Sequence, residues 1–217
     1  MLLELFPPHR AAIFDLDGTL LDSLWVWQKV DEEFFARRAL PLPGDYVTCI
    51  ASMTFRETAG YTIARFGLRE TPGAVMAEWN ELSFRHYSED VRLKPGARDF
   101  LGRLRERGIK LGVATSLTQS FIRAVLESNG IYGWFGALVS ADEVARGKSF
   151  PDIYLLAAER LGVEPSACVA FEDIAKGLMG IRAAGMTACA VWEPASGQDW
   201  AEMRALADAA IRGWEGC

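Results

Sequence analysis

Short apolar runs separated by amphipathic stretches recur along this chain and leave it few folds. The runs are Ala11–Leu16, Leu111–Ala114, Ala137–Val139, Cys168–Phe171 and Ala188–Val191. Their brevity and polar ends fit strands buried on both faces of a parallel sheet. The amphipathic stretches are Gly96–Arg107, Thr118–Asn129, Asp152–Leu161 and Ala175–Ala184. They stop near Gly108, Gly130, Gly162 and Gly185, as helices often do. Strands alternating with helices predict an α/β fold with a Rossmann-like, doubly wound parallel sheet.

One interval breaks the rhythm. About 90 residues separate the first run from the second, where a single crossover helix needs far fewer. Within it Leu24–Arg38, Thr54–Phe66 and Pro72–Tyr87 read as helices. Pro41, Pro43 and Gly44 divide the first two, and Lys94-Pro95-Gly96 marks a return to the core. The expected organisation is a catalytic core of residues 1–20 and 90–217 with a helical cap at 21–89.

Half of the residues are hydrophobic, enough for a real core. A formal charge of −6 argues against general affinity for nucleic acid or acidic membrane. The four cysteines, Cys49, Cys168, Cys189 and Cys217, lack paired metal spacing and suggest no disulfide framework. Glu4 and Pro7-Pro8 interrupt the apolar opening, residues 1–6, so no leader is expected. No stretch approaches the roughly 20 apolar residues of a membrane span. A soluble, cytoplasmic monomer is the expectation.

Ligands of open α/β sheets bind beyond the carboxyl ends of the strands. Those ends carry Asp15-Leu16-Asp17-Gly18-Thr19, then Thr115-Ser116, Lys148 and Glu172-Asp173. Clustered acids repel one another unless a cation lies among them, and a hard divalent ion such as Mg²⁺ suits oxygen ligands.

The segments FDLDGTLLDS, GVAT ending at Thr115, GKSFPDIYL around Lys148 and FEDIAKG around Glu172-Asp173 resemble, in order and spacing, the signatures of the haloacid dehalogenase superfamily. The likeness is closest to its helical-cap branch of sugar-phosphate phosphatases and β-phosphoglucomutase-like proteins. It implies that Asp15 attacks phosphorus to form an aspartyl-phosphate, while Asp17 serves as general acid and base. Asp15, the Asp17 carbonyl and Asp173 would hold Mg²⁺, with Glu172 supporting the metal's water shell or orienting Lys148. Thr115, Ser116 and Lys148 would bind the phosphoryl group of a small phosphorylated metabolite.

Asp17 favours phosphoryl transfer over dehalogenation, because an alkoxide leaving group needs a proton and halide does not. The related mutases carry a histidine twelve residues after the nucleophile, where this chain has Trp27, and a cap arginine where this chain has Phe55, next to Arg56. Hydrolysis is therefore expected, with a sugar phosphomutase as the alternative and an idle binding protein as a second. Trp27 and Arg56 are candidate substrate contacts, followed by Trp79, Arg85 and His86. Ile174 and Lys176 depart from the family's usual sequence, in which serine commonly follows the acidic pair. Gly147-Lys148-Ser149 is no P-loop, since Asp142 stands where that motif needs glycine. Gly177, Gly180 and Gly185 lack dinucleotide spacing and are expected to permit close helix packing. Neither His9 nor His86 has a partner at zinc spacing.

Overall fold

The computed structural model describes Glu4 and residues 9–217. Apart from Glu4, the opening segment read above for a leader lies outside the described residues. From Ala11 the chain runs β1 (Ala11–Phe14), β2 (Leu21–Asp22), α1 (Val26–Arg37), α2 (Tyr46–Ile50), α3 (Phe55–Phe66), α4 (Pro72–Glu89), β3 (Arg92–Leu93) and α5 (Ala97–Glu106). It continues through β4 (Lys110–Thr115), α6 (Gln119–Ser128), β5 (Ala137–Ser140), α7 (Asp152–Leu161), β6 (Cys168–Glu172) and α8 (Ala175–Ala183). The last elements are β7 (Thr187–Val191), α9 (Trp200–Leu206) and β8 (Ala209–Ile211). Two compact units result, Met1–Leu24 with Val91–Cys217, and Trp25–Asp90.

The first unit is built on a six-stranded parallel sheet ordered β5-β4-β1-β6-β7-β8. The α/β reading of the sequence holds. β1 and β6 are buried at every residue, as strands covered on both faces must be. Gly108, Gly130, Gly162 and Gly185 all take positive φ, the left-handed conformation that ends a helix at little cost when no Cβ is present. On one side of the sheet Phe14 stacks on Phe171 at 4.7 Å, and Phe100 and Trp214 close the cluster. Ile153, Ala157, Leu178 and Ile181 belong to the core formed with α7 and α8.

The strand order reverses at β1: β4 and β5 lie to one side, β6, β7 and β8 to the other. That is the switch point at which open α/β sheets place their ligands. A separate antiparallel pair, β2 with β3, joins Leu21 to Leu93 and Asp22 to Arg92 where the chain leaves and re-enters this unit.

The second unit is helical. Thr54 and Glu57 form a reciprocal capping box at the start of α3, and Thr71 with Pro72 starts α4. Phe34, Phe35, Tyr46, Phe66 and Trp79 build its aromatic interior. The first helix begins at Val26 rather than Leu24. Trp25 is its N-cap and packs edge-on against His86. Trp27 is 48% exposed.

Candidate active site

Asp15 follows β1 directly, and its N–H donates to the Phe171 carbonyl at 3.1 Å, extending the ladder with β6 by one residue. Its carboxylate is thereby held beside Glu172, the last residue of β6, and the adjoining Asp173. One oxygen from each of the three lies within 4.8 Å of the others, and all three residues are buried. Lys148, from the loop between β5 and α7, completes the group. Its Nζ is 2.6 Å from Asp15 Oδ1 and 2.8 Å from Glu172 Oε1.

Two glycines on α8 make room for this arrangement. A Cβ on Gly177 would stand 2.0 Å from Glu172 Oε1, and one on Gly180 would stand 2.0 Å from the Lys148 carbonyl. Both glycines admit site residues, whereas Gly185 has open space around it and ends α8. Gly18 adopts φ +74, and a Cβ there would collide with the Asp173 carboxylate.

Burial dominates the electrostatics. Although burial pulls the Lys148 ammonium down, Asp15 and Glu172 outweigh it and hold the amine well above its ordinary value. Burial, with Asp15 alongside, pushes Glu172 well above the usual carboxylate range and Asp173 up to about 7, against the pull of Lys148. Glu172 Oε2 is buried with no hydrogen-bond partner among the described residues. An orphaned carboxylate oxygen among crowded acids is a donor set that fits a hard divalent cation.

The other expected residues are placed as follows. The Asp17 carboxylate is outside the 4.8 Å group and accepts a 2.6 Å hydrogen bond from Ser23. Thr115 ends β4, fully buried, with Oγ1 accepting from the Leu117 N–H at 3.3 Å; Ser116 beside it is exposed. In the helical unit Trp27 lies edge-on to Phe55, and Arg56 is exposed in the first turn of α3. Arg85 and His86 are engaged with Glu33.

Several supporting residues escaped the sequence reading. Thr19 Oγ1 donates to Asp173 Oδ1 at 3.2 Å, and the buried Trp214 donates to the Thr19 carbonyl at 3.0 Å. Lys94 binds the Gly18 carbonyl and pairs with Glu193 at 2.6 Å. Ser196 donates to the Asp173 carbonyl, and Gln198 accepts from the Ala175 N–H at the start of α8. Ile174 is the N-cap of α8 and makes no side-chain capping bond. Lys176 is exposed. Only Thr19, within the DGT run, left a local signal.

A family model for haloacid dehalogenase-like hydrolases matches residues 9–185. The chain belongs to that family. Among similar proteins, the CbbY protein of Rhodobacter capsulatus is 32% identical, over 82% of this hydrolase and 82% of its own length. A phosphorylated carbohydrates phosphatase of Thermotoga maritima is 30% identical, again covering 82% of each. A solved Thermotoga maritima structure, provisionally assigned as a beta-phosphoglucomutase, is 28% identical with TM-score 0.85, covering 95% of both chains. These relatives agree with the phosphatase and phosphoglucomutase-like branch. No helix among the described residues of the hydrolase is long and apolar enough to cross a membrane.

Proposed function

We propose that this hydrolase is a Mg²⁺-dependent phosphatase that cleaves a small phosphate monoester through an aspartyl-phosphate on Asp15, with residues 25–90 serving as the specificity unit. The observation that carries the reading is the meeting of Lys148 with the Asp15, Glu172 and Asp173 carboxylates at the ends of β1 and β6. Asp15, Asp173 and the Asp17 carbonyl would hold the metal, with Glu172 in support. When bound, the ion would supply positive charge to offset repulsion between an anionic nucleophile and an anionic ester.

The chain's own groups do the rest. The Asp15 carboxylate attacks phosphorus as the ester P–O bond breaks. The Asp17 carboxyl gives its proton to the departing alcohol, then takes one from the water that attacks the aspartyl-phosphate and releases inorganic phosphate. Ser23, bonded to Asp17, keeps that carboxyl oriented. Lys148 neutralises the phosphoryl oxygens, and Thr115 and Ser116 donate hydrogen bonds to them.

Hydrolysis of a generic aryl phosphate with Mg²⁺ should be lost in excess chelator and in Asp15→Asn, because an amide cannot form the acyl-phosphate. Near wild-type turnover by a folded Asp15→Asn protein would overturn the mechanism. A mutase reading has the Thermotoga maritima structure in its favour and Trp27 against it. β-Glucose 1-phosphate with a bisphosphate primer decides: phosphate should appear faster than glucose 6-phosphate.

A further inference from the structure

The helical unit contains a cavity of about 510 Å³ between its helices. Its walls are aromatic and aliphatic: Trp27, Phe55 and Trp79 follow one another in edge and tilted contacts at 5.7 and 5.5 Å, with Ile50 and Met53 alongside. One polar group in this lining lacks a partner. Asp31, half-buried in the same lining, receives no hydrogen bond and forms no ion pair among the described residues. The remaining polar side chain, Thr58, already donates to the Thr54 carbonyl. Among the described residues, no lysine, arginine or histidine lines the cavity.

An apolar pocket with a few convergent polar groups is the ordinary form of a small-molecule site. The sign of the charge narrows the ligand. A lone carboxylate inside aromatic walls repels an anion, so a second phosphate or an acid group is excluded. Ring faces and a carboxylate both attract an organic cation.

We propose that this cavity binds an organic ammonium group, a function of the helical unit separate from the phosphatase reading above. Burial pushes the Asp31 carboxyl up to about 6, which leaves it largely ionised at neutral pH and ready to pair. Trp27 acquires a role here as an aromatic wall, and Arg56 is not part of the lining.

Choline and its uncharged isostere 3,3-dimethylbutan-1-ol separate charge recognition from simple greasiness. On the full chain, calorimetric titration should show one choline site, with the isostere at least about tenfold weaker. Asp31→Asn, checked for folding by circular dichroism and melting, should bring the two probes within about twofold. Asp15→Asn should bind choline as the wild type does, because that residue belongs to the other unit. Equal binding of the two probes, no choline binding, or a charge preference that survives Asp31→Asn would each overturn the proposal.

Discussion

Lys148 stands between two carboxylates, and removing it would leave both buried without their counter-charge. It is assigned to the phosphoryl group that every substrate shares, so Lys148→Ala should lower kcat/KM for esters of different size by one common factor. Loss of a charge-assisted contact of about 2–3 kcal/mol corresponds to roughly 30- to 150-fold. Initial rates on three esters check this, and a factor that varied with the leaving group would place Lys148 elsewhere in the reaction. Asp15, Glu172 and Asp173 were legible because each lies at the end of an apolar run, and Lys148 because of the GKSFPDIYL segment around it. Thr19, Ser196 and Gln198 were not. Their bonds cross to residues 154, 23 and 23 positions away, and a hydroxyl in a turn looks the same whether or not a partner arrives.

Three helical elements carry predictions of their own. In α8 the glycine at 177 leaves space for the Glu172 side chain, so Gly177→Ala forces a collision with a fully buried carboxylate. Overpacking of this kind costs about 1–3 kcal/mol, and it should lower the melting temperature and slow turnover together. Gly102 in α5 meets nothing within 4 Å, so the same substitution there should stabilise by about 0.5–1 kcal/mol. Calorimetry on the pair tests the contrast, since propensity alone predicts stabilisation in both. In α1 burial raises the Asp31 carboxyl to about 6, against about 3.9 in the unfolded chain. Below pH 4 both states hold the proton and no penalty exists. Between pH 4 and 6 the unfolded chain releases its proton first, so stability falls as pH rises. Asp31→Asn should therefore raise the melting temperature more at pH 7.5 than at pH 4, and equal gains would show the carboxyl titrating normally. The apolar runs and amphipathic stretches were readable because period and length agreed. β2, β3 and β8 are two or three residues long, too short for any period to show. The short α2 follows Pro41, Pro43 and Gly44, which read as loop.

For the whole molecule, the carboxylate group exists only where the ends of β1 and β6 meet, so a cation held there should bind the folded chain alone. Mg²⁺ at a hundredfold excess over its dissociation constant would add about 2.7 kcal/mol, or a rise in melting temperature of roughly 5–10 °C for a chain of this size. Differential scanning with and without chelator reads the rise, which Asp173→Asn should shrink; an unchanged melting temperature would argue against a metal at this place. The class of sheet was legible from alternation, but the strand order was not. Which strand lies beside which is decided by crossovers, and their direction leaves no mark in hydrophobic pattern. The order has a consequence for a chain still being made. β1 draws both neighbours from far along the sequence: Ala11 pairs with Lys110 on one side and Cys168 on the other. Ribosomes add about 5–20 residues each second, so β1 emerges roughly ten seconds or more before β6 exists to cover it. Throughout that wait an apolar strand with open edges is exposed to other nascent chains, and slowing translation anywhere between Ala11 and Cys168 lengthens the exposure.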